Sequence, residues 1–191
     1  MFINACIRDE KSRTHRLCRA FLEEYTASRS SFTIEEVDLT KKTLSYFNKE
    51  ALILRDKLID SGETCNKMFD LARQFAGADT IIVGAPYWDL SFPAVLKVYV
   101  EHISVRNITF KNTATGVAGL CCGKKLIYIT TAGGYIKNAD FGTEYFKGLC
   151  GFYGILEFEA FRVEGLDIET NNPEDIMKEA EKEILSPARR I

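Results

Sequence analysis

The chain has 191 residues, of which 46% are hydrophobic and 27% charged, a balance that suits one globular domain over residues 1–191 with a core large enough to need no disulfide or metal staples. A formal net charge of −2 argues against a sequence-independent grip on nucleic acid, which needs a concentrated basic surface. The short basic clusters Lys41-Lys42, Lys124-Lys125 and Arg189-Arg190 read as solvated faces.

From the amino terminus, Phe2 to Ile7 is a short apolar run closed by Arg8-Asp9-Glu10-Lys11. Ser12-Arg13-Thr14 then precede Leu17, Phe21 and Leu22 at helical spacing, so the segment reads as strand, polar loop, helix. Ser12 or Thr14 suits the N-cap, and the same first turn, with its free N–H groups and hydroxyls, suits a phosphate; taken alone the segment favours plain capping. Phe32 to Leu39 predicts a second strand. Asp38 falls where a dinucleotide fold places its ribose-binding acid, but the first loop has no GxGxxG, so Asp38 reads as a strand-end residue. Leu44 to Asp60 and, after Gly62, the set Met68, Leu71, Ala72 and Phe75 predict two helices.

Thr80 to Ala85 is an apolar strand that stops at Pro86, passes through the aromatic loop Pro86-Tyr87-Trp88-Asp89-Leu90, and gives way to a helix with Pro93 in its first turn. Ser104 to Gly123 has no sustained periodicity and reads as a long ordered loop, for which a lid or a subunit contact is at least as good a use as idle connection. Lys125 to Thr131 is a buried strand ending in Ala132-Gly133-Gly134-Tyr135, where the glycine pair permits either a close backbone approach to a ligand or a simple turn. Asp140 to Tyr153 predicts a helix with Phe141, Tyr145, Phe146 and Leu149 inward, Ile155 to Val163 a fifth strand, and Asn172-Pro173 the cap and first residue of a last helix. The six cysteines form no CxxC and no metal-type pattern with the two histidines, so they read as reduced thiols, with no metal site. The start MFINACIRDE carries charges by residue 8, and no run approaches a membrane span, so the expectation is a soluble cytoplasmic protein without a membrane partner.

Five strands alternating with about five helices predict an α/β three-layer sandwich around a parallel five-stranded sheet, for which we choose the order 2-1-3-4-5. That order gathers the loops after strands 1, 3 and 4 at one switch point. A hydroxyl-rich helix start, an aromatic loop and a Gly-Gly strand end suit a ligand with a phosphate at one end and a flat polar ring at the other, as in flavin mononucleotide (FMN). The phosphate is expected at Ser12, Arg13 and Thr14 with Arg13 or Arg8 offsetting its charge, and the ring along Pro86, Tyr87, Trp88, Asp89 and Leu90 with backbone N–H contacts. Its pyrimidine edge is expected at Gly133-Gly134.

From about Ala78 to Phe161 the chain resembles the FMN-dependent NAD(P)H:quinone oxidoreductase and azoreductase family, flavodoxin-like homodimers. The resemblance is carried by the AP-aromatic loop, LKVYVEH (Leu96 to His102), Thr109-Phe110, Gly116, Gly119, Gly123-Lys124-Lys125, ITTAGG (Ile129 to Gly134) and GFYGI (Gly151 to Ile155). It implies that Ser12, Arg13 and Thr14 hold the phosphate and that Pro86 to Leu90 and Thr131, Ala132, Gly133 and Gly134 hold the flavin. Phe110 is implied near a subunit interface and the substrate pocket; Tyr135 is expected as a second substrate contact, and Tyr87, Tyr135 or ordered water could donate a proton to the acceptor. NADH or NADPH would supply a hydride, and a quinone, azo compound or similar small acceptor would take the electrons in the same pocket, so no nucleophile is expected. Ala5-Cys6, Asp89 and Ala132 depart from the family pattern. The rival readings are a flavodoxin-type electron carrier and an interaction protein that keeps the fold without flavin; the near-neutral charge disfavours the carrier, which docks through an acidic face.

Overall fold

The computed structural model describes residues 1–27 and 33–190, apart from the side chains of residues 187, 189 and 190. Phe32, where the second strand was expected to start, and the side chains of Arg189-Arg190 therefore lie outside the described residues. The parallel sheet consists of β1 (Phe2–Asn4), β2 (Glu36–Asp38), β3 (Thr80–Gly84), β6 (Lys125–Thr131) and β7 (Glu157–Val163) in the order β2-β1-β3-β6-β7. With the hairpin strands described below set aside, this is the expected 2-1-3-4-5 order.

Two apolar layers sandwich the sheet, and period-2 alternation divides each central strand between them. Ile81, Val83, Leu126 and Tyr128 pack with Leu96 and Tyr99 of α4 (Ala94–Ile103), Phe75 of α3 (Asp70–Ala76) and Phe146 of α5 (Phe141–Tyr153). Ile82, Ile127 and Ile129 face the other way, onto Leu17 and Phe21 of α1 (Arg13–Ala27) and Met177 and Ile184 of α6 (Pro173–Arg190). Burial on both faces explains why β3 and β6 read as continuous apolar runs. Asn172 Oδ1 accepts the Glu174 N–H at 3.1 Å, so α6 starts at Pro173 as its cap predicts.

Several boundaries differ from expectation. β1 ends at Asn4, and residues 5–12 form a connection with a short 3-10 turn over Asp9–Lys11, Asp9 lying in the left-handed region at φ 47°. The helix expected from Leu44 begins only at Lys49, as α2 (Lys49–Asp60), where Asn48 Oδ1 caps the Ala51 N–H at 2.8 Å. Pro93 precedes α4 with an extended ψ of 143° and so lies just outside its first turn. Phe141, expected inward, is 57% exposed at the start of α5, whereas Phe146 is buried.

The largest correction concerns residues 104–123. They are not the long ordered loop expected throughout: β4 (Phe110–Thr113) and β5 (Gly116–Gly119) form an antiparallel hairpin pairing Phe110 with Gly119 and Thr113 with Gly116. Four-residue strands that are mostly exposed carry no alternating apolar signal, which is why periodicity missed them. Gly119 lies directly on the Tyr153-Gly154 backbone, where a Cβ would collide. Among the described residues no helix is long and apolar enough to cross a membrane.

Candidate functional site

The first wall of the site is the start of α1. Ser12 Oγ accepts the His15 N–H at 3.2 Å, so Ser12 is the cap. Thr14 does not cap. Its hydroxyl is fully buried and lies 2.7 Å from the Thr131 hydroxyl, which ties α1 to the end of β6. Among the described residues no acceptor takes the N–H groups of Arg13 and Thr14, so two donors remain at the positive end of a helix of 15 residues.

The second wall follows β3. Tyr87 N–H donates to Thr131 O at 2.9 Å, and Trp88 and Ser91 exchange backbone hydrogen bonds at 3.2 and 2.8 Å. The tight turn they close carries Asp89 at φ 50° and Leu90 at φ 66°, two consecutive non-glycine residues in the left-handed region. The expected row of backbone donors along this loop is therefore partly spent internally, at Tyr87 and Trp88. The Tyr87 hydroxyl donates to Ala139 O at 2.9 Å, and burial, with the Asp140 and Glu164 carboxylates nearby, raises its pKa. Arg8 stacks on Trp88, its guanidinium carbon 5.7 Å from the ring centroid.

The third wall is the turn after β6, braced by the loop after β7. Leu166, Asp167 and Gly165 N–H groups donate to Ala132, Gly133 and Gly134 carbonyls at 3.2, 2.8 and 3.1 Å. With its carbonyls satisfied, the turn keeps the N–H groups of Gly133 and Gly134 unclaimed by any acceptor among the described residues. Arg13 Nη2 meets Asp167 Oδ1 at 2.6 Å, and a Cβ on Gly133 would run into the Asp167 carboxylate.

These walls enclose one cleft, lined by Ser12, Arg13, Thr14, Pro86, Tyr87, Trp88, Thr131, Ala132 and Gly133 from the predicted set. Its volume of about 210 Å³ is matched by a cleft at the opposite end of the sheet beside Met1, Ile34 and Asp79. Size alone does not choose between them. Only the first lies at the carboxyl ends of the strands, where open α/β sheets bind ligands.

A family profile with the description flavodoxin-like fold matches residues 1–186. An FMN-dependent NADH:quinone oxidoreductase of Clostridium perfringens is 35% identical over 194 residues, spanning 100% of this chain and 98% of the relative. This chain belongs to the FMN-dependent NAD(P)H:quinone oxidoreductase and azoreductase family. Among solved structures, an azoreductase from Bacillus anthracis str. Sterne superposes with a TM-score of 0.88 at 26% identity, covering 100% of this chain and 98% of that one. An FMN-dependent NADH-azoreductase from Bacillus anthracis str. Ames Ancestor, solved in complex with FMN, gives 0.87 at 25% identity, with 99% and 96% covered.

In this family member the cleft fits a flavin nucleotide by its own donor set: unclaimed N–H groups at both ends, an aromatic loop between them, and Arg8, Lys11 and Arg13 around the start of α1. Asp89 and Leu90 sit at the exposed tip of the aromatic loop. Gly134 and Tyr135 continue the turn at its outer edge; Tyr135 is 58% exposed, and its hydroxyl lies 3.4 Å from Asn171 Nδ2. Phe110 lies apart, its ring 4.5 Å from that of Phe152 in an apolar groove with Phe47, Leu52, Val100 and Leu149. Reading the sequence overlooked Arg8 on Trp88 and the loop from Gly165 to Asp167. The latter carried a usable signal, because β7 ends at the same edge of a parallel sheet and is followed by a glycine at φ 77°.

Proposed function

We propose that this protein is an FMN-dependent oxidoreductase that draws a hydride from NAD(P)H, with NADH the donor its relatives are named for, and reduces quinones, azo compounds or similar small acceptors. Donor and acceptor occupy one pocket in alternation. The observation that carries this reading is the pairing of unclaimed N–H groups at Arg13 and Thr14 with those at Gly133 and Gly134 across a single cleft. FMN, when bound, supplies hydride chemistry that no side chain here offers.

The chain's own residues position and polarise. The Arg13 and Thr14 N–H groups and the Ser12 hydroxyl hold the phosphate at the helix start. Pro86 to Leu90 carry the ring, and Thr131 and Ala132 close its inner side. The Gly133 and Gly134 N–H groups face the pyrimidine edge and favour negative charge there, as fixed donors do wherever charge develops. Tyr135 stands at the mouth as a contact for the acceptor.

The functional unit is a homodimer of single-domain chains in the cytoplasm. Tyr46, Leu52, Ile53 and Leu54 are exposed around α2, beside the apolar groove that holds Phe110, and a second copy seated there brings Phe110 to the partner's pocket. Six free cysteines suit a reducing compartment.

The test is anaerobic addition of NADH to the FMN-loaded protein while the flavin band is followed. Rapid bleaching reversed by a quinone is the expected result. Bound flavin that stays coloured would replace this reading with a single-electron carrier, and a protein that does not take up FMN would end the site assignment.

A further inference from the structure

Arg13 and Arg16 sit one helical turn apart on α1 and are held very differently. Arg16 is locked between two carboxylates of α6, bonding Glu174 at 2.8 and 2.9 Å and Glu181 as well. Among the described residues Arg13 has one side-chain partner, Asp167, at 2.6 Å, and both side chains are partly open to solvent, at 39% and 66%. Both line the candidate flavin cleft, and Arg13 is the first residue of the helix whose free N–H groups point into it.

We propose that Asp167 stands in for the phosphate: it holds the Arg13 guanidinium across the cleft mouth and yields it to the phosphate of an entering flavin nucleotide. Asp167 thereby sets the preference for FMN over unphosphorylated riboflavin. The inference rests on the reading of the cleft as a flavin site. Its physical basis is competition between two anions for one fork of donors, since carboxylate and phosphate accept the same bidentate geometry. The Asp167 N–H, which braces Gly133 O, is backbone and survives substitution of the side chain.

The test titrates FMN and riboflavin separately into wild-type, Asp167→Asn, Arg13→Gln and the double variant, following flavin fluorescence. Asp167→Asn is expected to tighten FMN by about two- to fivefold, the range an exposed ion pair supports, and to leave riboflavin unmoved. Arg13→Gln is expected to weaken FMN alone, and in that background the gain from Asp167→Asn is expected to shrink to less than about twofold. Equal weakening of both flavins by Asp167→Asn would mean that the side chain only braces the turn, and would overturn the inference while leaving the flavin site intact. Wild-type protein that binds neither flavin would overturn the functional reading and the inference with it.

Discussion

The Thr14 and Thr131 hydroxyls meet at 2.7 Å across 117 residues of sequence, with the Thr14 residue fully buried. This contact joins the start of α1 to the loop after β3, because Thr131 O also accepts the Tyr87 N–H. Replacing either threonine by valine strands the other hydroxyl, at an expected cost of about 1–3 kcal/mol in urea unfolding. The double valine variant is expected to cost less than the sum of the two, since it leaves neither hydroxyl stranded. Additive losses in the double variant would show that the two hydroxyls act separately.

Asp140 caps α5 through the Thr143 N–H at 2.9 Å and pairs with Arg162 at 2.8 Å. Burial pushes its carboxyl up, but bonding at Thr143 and to Arg162 outweighs that and leaves it below its ordinary value. The folded pKa is therefore depressed. Its stabilisation is fully present above the unfolded carboxyl value near 4 and is lost as pH falls through the lower folded value. Asp140→Ala is expected to cost about 1–3 kcal/mol at pH 7, and Asp140→Asn, which can still cap, to cost less. The gap between wild-type and Asp140→Asn is expected to narrow between pH 5 and pH 3 in thermal unfolding; a constant gap would contradict the role given to the charge.

Asp89 and Leu90 both hold left-handed backbone, which costs a residue with a Cβ roughly 1–2 kcal/mol. Leu90 is half exposed, so little packing opposes removing its side chain. Leu90→Gly is expected to raise unfolding stability by about 1 kcal/mol. The same change is expected to weaken FMN binding, because the turn is then less fixed in the form that carries the ring. A variant that is less stable than wild type would show that Leu90 contributes contacts outweighing its backbone strain.

In solution the apolar surface formed by Leu52, Ile53, Leu54 and the Phe110 groove is expected to be covered by a second copy of the chain. Sedimentation velocity is expected to show a dimer for wild-type protein and a monomer for Leu52→Glu, since burying a carboxylate in a largely apolar interface carries a desolvation cost. Monomeric wild-type protein at micromolar concentration would remove this surface from the functional unit.

Much of the architecture was legible in one dimension. β3 and β6 are buried on both faces and so must be apolar throughout, and α6 announces itself with Asn172 and Pro173, whose capping chemistry is local. The hairpin over residues 110–119 was not legible, because its short exposed strands owe their pairing to packing on the Tyr153-Gly154 backbone, over thirty residues away. Within the cleft, the residue types were readable but their assignments were not. Ser12 and Thr14 are equivalent as caps on paper; Thr131, brought alongside by the β3-β6 register and the packing of α1, decides which hydroxyl turns inward.

The sequence by itself determined the strand-helix alternation and the three loops that follow its strands, since these follow from short-range periodicity and turn chemistry; the order of the sheet, β2-β1-β3-β6-β7, is a matter of long-range pairing. Tertiary structure alone decided which donors in those loops stay free. A backbone N–H near residue 88 or 133 is available or spent according to what lies opposite it, and the partners that settle this, Ser91 O for Trp88 and the Gly165–Asp167 loop that satisfies the carbonyls after Thr131, are set by chain packing in space.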